Sequence, residues 1–320
     1  MTKASALWHL SSKESKIQAQ SLSPIQAGEC RIETAFSLVS SGTETLVATG
    51  RVPAELHELM QVPYQEGDFS FPVKYGYSLV GKVVEGTTEL IGKHVHLLHP
   101  HQSQCVVNFQ DVTIIPEEVP SRRAVLASNL ETALNAIWDS RISAGARVLV
   151  VGMGLIGSLV ARLVDQFPAT QVSVVDTNDV RREFARQQGF SLYEPSDASF
   201  DIAFHTSGSS AGLQTCVDAV GYEGKIVELS WYGTRAVEVQ LGGSFHQQRK
   251  QIISSQVSQL PPHRQSRWDY RRRKQTVLEL LKDDVWDSFL TATVDFTDTP
   301  ALFDKLRQGD RSQLSWTIAY

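Results

Sequence analysis

The sequence predicts an α/β protein of two domains: a β-rich domain comes first, a doubly wound parallel sheet follows, and a short segment returns at the end. Three observations predict it. Up to residue 120, short β-branched and aromatic runs are punctuated by Gly and Pro. Beyond that point, apolar strands alternate with segments of helical periodicity, the pattern of a parallel sheet. The 320 residues also exceed what one hydrophobic core usually supports. The expected boundaries are 1–123 for the first domain, 124–270 for the second and 271–320 for the return segment.

In chain order, strands are expected over Cys30–Leu38, Tyr77–Val84, Val95–Leu98 and Val106–Ile115, with a helical turn or two in Pro53–Met60. Gly42, Gly67, Pro72, Gly86, Gly92 and Pro100 separate them. Ser121 caps an expected helix running through Arg122 to Ser140, with Val125, Leu126, Ala133, Leu134 and Ile137 on one stripe. Strands Arg147–Gly152, Gln171–Asp176, Asp201–His205 and Lys225–Leu229 then alternate with helices Leu155–Gln166, Val180–Gln188 and Ala211–Val220. Arg272–Leu281 and Ala301–Leu306 read as helices, and Leu314–Tyr320 as a closing strand. There is no internal repeat and no low-complexity tract.

Composition excludes several classes. Apolar residues at 42% and charged residues at 20% are ordinary for a soluble globular chain. A net charge of −5 argues against nucleic acid as a partner. Cys30, Cys105 and Cys216 are too few and too scattered for a disulfide framework or a four-cysteine zinc site. The segment Met1–Gln20 is polar and charged, unlike a signal peptide. No run approaches the roughly 18 apolar residues of a membrane span. The expectation is a cytoplasmic protein with a small-molecule substrate and no membrane partner.

The most specific motif is ArgValLeuValValGlyMetGlyLeuIleGly at 147–157. Its three glycines, Gly152, Gly154 and Gly157, follow an apolar strand and open an apolar helix at Leu155 and Ile156. Asp176 closes the next strand, at close to the roughly 20-residue spacing of a dinucleotide-binding Rossmann fingerprint. Gly152 would allow the tight turn, Gly154 the approach of a pyrophosphate, and Gly157 close packing of helix on sheet. The helix N-terminus offers free N–H groups to the phosphates. Asp176 would accept from the adenosine ribose. A carboxylate there repels a 2′-phosphate, so NAD(H) is expected over NADP(H). Arg181 and Arg182 follow closely, and either offset that repulsion or face solvent. Ser207, Gly208 and Ser230 end later strands, where such sheets line the cofactor crevice.

The order of parts resembles the medium-chain dehydrogenase/reductase family, which includes the zinc alcohol dehydrogenases. SerGlyThrGluThr at 41–45 and TyrGlyTyrSerLeuValGlyLysVal at 75–83 carry the resemblance into the first domain. Their wording is similar to the bacteriochlorophyllide dehydrogenase branch. The resemblance implies a GroES-like first domain completed by the end of the chain. It also implies an active site in the interdomain cleft and a homodimer through the nucleotide domain. The family's catalytic zinc is held by Cys, His and a further Cys, Asp or Glu; the matching positions here are Ser41, Tyr77 and Ser128. Neutral hydroxyls are poor zinc ligands, and Glu44 and Glu131 alone would make an odd site. A zinc-free member is expected, with no metal.

Without zinc, a hydrogen-bond donor must stabilise the alkoxide that forms during hydride transfer. Tyr77 is the first candidate, with Ser41 and Ser78 as nearby donors. His101, after Pro100, is the second. In His94-Val-His96-Leu-Leu-His99-Pro-His101, His94 and His96 should share one strand face, partly exposed, with Cys105 close by. The run 264–274 interleaves six basic residues with Trp268 and Tyr270 and reads as a solvated helix face or a receiver of anionic substrate. The reading is an NAD(P)(H)-dependent oxidoreductase acting on a small alcohol, carbonyl or activated alkene. Two alternatives stay open: an NAD(H)-binding sensor or scaffold without turnover, and a zinc enzyme with relocated ligands such as Glu44, His101 or Cys105.

Overall fold

The computed structural model describes residues 2–195 and 199–320. The chain forms two compact units. One comprises residues 1–128 and 274–320, the other 129–273.

The first unit opens with strands β1 (Thr2–Ser11), β2 (Glu14–Leu22) and β3 (Glu29–Val39). Helix α1 (Ser41–Ala48) follows, then the two-residue strands β4 (Glu66–Gly67) and β5 (Val73–Lys74). Strands β6 (Leu79–Glu85), β7 (His94–Leu97), β8 (Gln104–Asn108) and β9 (Thr113–Ile114) lead to helices α2 (Ser121–Ala124) and α3 (Ala127–Ser140).

The second unit alternates strand and helix. Its elements are β10 (Arg147–Val151), α4 (Leu155–Asp165), β11 (Gln171–Val175), α5 (Asp179–Gln187) and β12 (Ser191–Leu192). Next come β13 (Phe200–His205), α6 (Ser210–Ala219), β14 (Val220–Glu228), α7 (Ser244–Gln247) and β15 (Gln251–Ser254). Helix α8 (Tyr270–Leu280) carries the chain back to the first unit, which ends with β16 (Ala292–Asp295), α9 (Thr299–Arg307) and β17 (Trp316–Ala319).

In the first unit, a mixed sheet runs β16-β17-β3-β6-β7-β9, with β8 also on β3. The end of the chain completes it: β17 lies antiparallel to β3, with Trp316 opposite Val39. A smaller sheet runs β2-β1-β5-β4. In the second unit, six strands run in the order β12-β11-β10-β13-β14-β15, each pair parallel. The order reverses at β10, the place where open α/β sheets leave a ligand crevice. Val148 to Val151 on β10 are buried, as the central strand of a sheet covered on both faces demands.

Several expectations need correction. The expected helix from Ser121 to Ser140 is two helices, because Val125 and Leu126 leave the helix and the Val125 carbonyl accepts from the Ser78 hydroxyl at 2.5 Å. Ser121 is not the cap; Pro120 stands there, and the Ser121 hydroxyl bonds His94 Nδ1 at 2.9 Å. The expected strand Val106–Ile115 is broken because the Asn108 side chain accepts from Gln110 N–H and caps a 3₁₀ turn at Phe109–Asp111. The hairpin β1–β2, helix α1 and strand β15 carried no clear periodicity and were not anticipated. His94 is exposed and His96 fully buried, since β7 runs from its surface end inward. The basic run is not one solvated face either. Arg272 lies 4.0 Å over the Trp268 ring, while Arg273 and Lys274 are buried.

Candidate dinucleotide site and a buried acid–base cluster

The dinucleotide site lies at the end of β10. Gly152 takes φ 100°, a left-handed value that favours glycine, and its N–H donates to the Val175 carbonyl at 2.8 Å. A Cβ there would stand 2.7 Å from the Ser207 backbone. A Cβ at Gly157 would lie 1.9 Å from the Gly152 carbonyl oxygen and 2.6 Å from Thr206 Oγ1. Both glycines are therefore demanded by close packing of α4 on the sheet. Gly154 differs: a Cβ there would meet nothing nearer than 3.7 Å. The chain leaves room above Gly154, and the first-turn N–H groups of Leu155 and Ile156 lack intrahelical acceptors. This is a cradle that fits a pyrophosphate.

Asp176 follows β11 with its side chain only 7% exposed. Its Oδ2 accepts from Met153 N–H at 2.7 Å, tying the glycine turn to the next strand, and its Oδ1 accepts from Asn178 N–H at 2.8 Å. Arg181 Nη1 approaches Asp176 Oδ2 to 3.5 Å, and the same guanidinium borders Gly154. Arg181 Nε is buried without a partner among the described residues. Arg182 donates to the Asp176 carbonyl and pairs with Asp179. Both arginines are thus held at the site and do not simply face solvent.

Ser207 and Gly208 follow β13, and Ser230 follows β14, where the sequence places them. The Gly208 N–H donates to Ser230 Oγ at 3.0 Å. Beneath them lie two residues that the sequence reading missed. His205 is fully buried with Nδ1 2.7 Å from Glu228 Oε2. Burial pushes the Glu228 carboxyl up, but bonds from His205, Ser230 N–H and the Tyr232 hydroxyl outweigh it and hold the carboxyl below its ordinary range. The signal was available: His205 and Glu228 close two successive apolar strands, and a charged residue at such an end seldom lacks a partner.

In the first unit, Ser41 opens α1 and Tyr77 precedes β6. Glu44, one turn into α1, has a fully buried side chain. Its Oε1 accepts from Ser40 N–H at 2.8 Å and its Oε2 lies 2.8 Å from His101 Nε2. His101 Nδ1 lies 2.7 Å from Ser37 Oγ, which bonds the Tyr320 hydroxyl at 2.9 Å. His101 is fully buried, so it contacts no solvent directly. Tyr77 is half-buried, and the Ser40 and Thr43 hydroxyls hydrogen-bond its phenol. Burial, reinforced by the Glu44 carboxylate, pushes the Tyr77 phenol up to about 12.

The donor set does not fit a catalytic zinc. Ser128 donates to the Tyr77 carbonyl at 2.8 Å, Glu131 lies 3.2 Å from Arg273, and both Glu44 oxygens are occupied. Cys105 lies in an apolar cluster with Cys30, Ile32 and Leu79, and burial pushes its thiol up to about 12. His96 and His99 are buried and held below the ordinary histidine range, His99 at about 3. Among the described residues, no three His, Cys, Asp or Glu side chains converge as metal ligands. No helix is long and apolar enough to cross a membrane.

No family model matches the chain. It is 23% identical to D-guloside 3-dehydrogenase of Escherichia coli over 86% of this chain and 88% of that one. It is 25% identical to 2-dehydro-3-deoxy-L-galactonate 5-dehydrogenase of Pseudoalteromonas atlantica over 68% and 73%. The solved L-idonate 5-dehydrogenase of E. coli superposes with a TM-score of 0.80 at 14% identity, covering 100% of this chain and 99% of its own. An alcohol dehydrogenase of E. coli solved with NADH matches at 0.79 and 15% identity over 100% of both chains. The chain therefore has the fold of the medium-chain alcohol dehydrogenases, a GroES-like domain and a Rossmann domain. Its sequence relatives of known activity are dehydrogenases, so it is an alcohol dehydrogenase-like oxidoreductase of that type.

Proposed function

We propose that the protein is an NAD(P)(H)-dependent dehydrogenase/reductase that moves a hydride to or from a small alcohol, carbonyl or activated alkene, without zinc. The observation that carries this reading is the Gly152–Gly157 turn, packed as a phosphate cradle and tied to Asp176. When bound, the nicotinamide supplies or accepts the hydride. This chain's part is to bind the dinucleotide and to hold a proton where the substrate oxygen becomes charged. Tyr77 suits that task, because a phenol pushed up to about 12 keeps its proton at neutral pH and can donate it to a developing alkoxide. Ser41 is a further donor close by in sequence, and His101 acts from beneath through Glu44. NAD(H) is preferred, because Asp176 opposes a 2′-phosphate; Arg181 weakens the preference. The relatives favour a secondary hydroxyl on a polyhydroxylated, sugar-derived substrate. Kinship with the bacteriochlorophyllide dehydrogenase branch, the boundaries at 123 and 270, a homodimer through the nucleotide domain and a cytoplasmic location belong to the same proposal.

The test is a titration of metal-stripped protein with NADH and NADPH, followed by cofactor fluorescence. Tight NADH binding with weaker NADPH binding supports the reading, and turnover of sugar-derived ketones by that protein extends it. Binding of neither nucleotide overturns it. Turnover that appears only when zinc is restored removes the zinc-free part.

A further inference from the structure

The Rossmann unit holds a polar cluster that the glycine turn does not use. β13 and β14 are neighbouring parallel strands, with His205 in register with Glu228. His205 Nδ1 lies 2.9 and 2.7 Å from the two Glu228 carboxylate oxygens. Its Nε2 lies 2.7 Å from Ser207 Oγ, and Ser207 Oγ lies 2.9 Å from Ser209 Oγ. Glu228 also accepts from Ser230 N–H at 2.7 Å and from the Tyr232 hydroxyl at 2.9 Å.

Counting protons assigns the directions. An ionised carboxylate only accepts, so Nδ1 of His205 carries the hydrogen. In the neutral ring Nε2 then accepts, and Ser207 donates to it. Ser209 Oγ accepts from Gly212 N–H at 3.0 Å, which leaves its own hydrogen for Ser207. The chain runs Ser209 to Ser207 to His205 to Glu228, and turns the free lone pair of Ser207 outward from an exposed position. Strand order says what would meet it. Asp176 follows β11 on one side of β10, while β13 and β14 lie on the other. A dinucleotide with its pyrophosphate at β10 and its adenosine toward Asp176 carries its nicotinamide half over the ends of β13 and β14.

We infer that His205 and Glu228 are positioning residues that lock Ser207 and Ser230 as hydrogen-bond partners for the nicotinamide half of a bound dinucleotide. The inference rests on the dinucleotide reading above. The same Ser–His–carboxylate geometry serves acyl transfer elsewhere. Here, however, the Gly208 N–H, the donor that a nucleophilic Ser207 would need for an oxyanion, already donates to Ser230 Oγ.

The experiment compares NADH with ADP-ribose, which lacks the nicotinamide, by calorimetry on the full chain and on His205→Asn, Glu228→Gln and Ser207→Ala. Expected is a roughly tenfold weaker Kd for NADH in each variant, the loss of one charge-assisted or oriented hydrogen bond, with ADP-ribose held as in the parent. Ser207→Ala removes only a side chain near the surface, and so keeps the test usable if a buried variant fails to fold. An equal loss for both ligands in Ser207→Ala, or unchanged NADH binding, overturns the positioning role. Stoichiometric labelling of Ser207 by a fluorophosphonate overturns it in favour of a nucleophile. Parent protein that binds ADP-ribose but not NADH overturns this inference alone, whereas failure to bind either ligand sinks the dinucleotide reading beneath it.

Discussion

The two units assemble their chemistry in opposite ways. The phosphate cradle of the Rossmann unit comes from one contiguous stretch, Gly152 to Gly157, and a single partner, Asp176. The cluster of the GroES-like unit gathers Ser37, Glu44, Tyr77, His101 and Tyr320 from five separate elements, with no two of them adjacent in sequence. The first kind of site tolerates sequence drift around it as long as a few glycines stay. The second depends on the whole unit being folded, because each polar atom is desolvated and must find its partner.

The largest expected difference between the units is toward acid. His9, His96 and His99 are buried in the GroES-like unit and held below the ordinary histidine range, His9 and His99 at about 3; burial is the leading cause in each case. The folded unit therefore keeps these rings neutral where the unfolded chain would protonate them. Their contribution to stability is present above pH about 6.5 and is lost as pH falls toward 3, on the order of several kcal/mol in sum. Thermal scans between pH 7 and 4 should show a transition that collapses with acid. A transition independent of pH over that range would remove the contrast.

Next in size is Gly157→Ala. Its Cβ would lie 1.9 Å from the Gly152 carbonyl oxygen, a clash of backbone against helix that no side-chain rotation relieves. The loss should be about 3 kcal/mol, read as a fall in melting temperature and in NADH affinity. Gly154→Ala at the open position should keep stability and lose dinucleotide affinity alone. Equal thermal behaviour of the two variants would blur the distinction between a packing glycine and a ligand-facing one.

Tyr77→Phe sharpens the other side. It should lower kcat by about a hundredfold while leaving the Kd for NADH unchanged, because the phenol belongs to the unit that holds no dinucleotide cradle. A change in KM alone would assign Tyr77 to substrate binding. The smallest effect is expected from Arg181→Ala. Removing the cation beside Asp176 should weaken NADPH about tenfold and NADH less than about twofold, raising the preference for NADH. NADPH affinity that survives the substitution would mean that Arg181 neutralises Asp176 without reaching the 2′-position.

The two sites were legible to very different degrees. Alternation of apolar strands with helical periodicity identified β10 through β14 within a few residues, because propensity, burial and turn chemistry agree there. Hairpin β1–β2 escaped because its polar outer face hides the period; Ala4, Ala6 and Leu7 are buried among Ser, Lys and His. Helix α1 escaped because SerGlyThrGluThr carries little helical propensity and is held by Glu44 reaching back to Ser40.

By itself, the sequence determined the fold class, the glycine turn, the acidic residue after the next strand and the loss of the usual zinc-binding residue types at Ser41, Tyr77 and Ser128. Each is a local property of residue type and spacing. Only the tertiary structure decided that Glu44 holds His101, that Arg181 leans on Asp176 and that His205 and Glu228 stand beneath Ser207. Those pairings join residues 5 to 57 positions apart. Which buried polar atom finds which partner is set by strand order and register, and spacing along a single chain does not encode that.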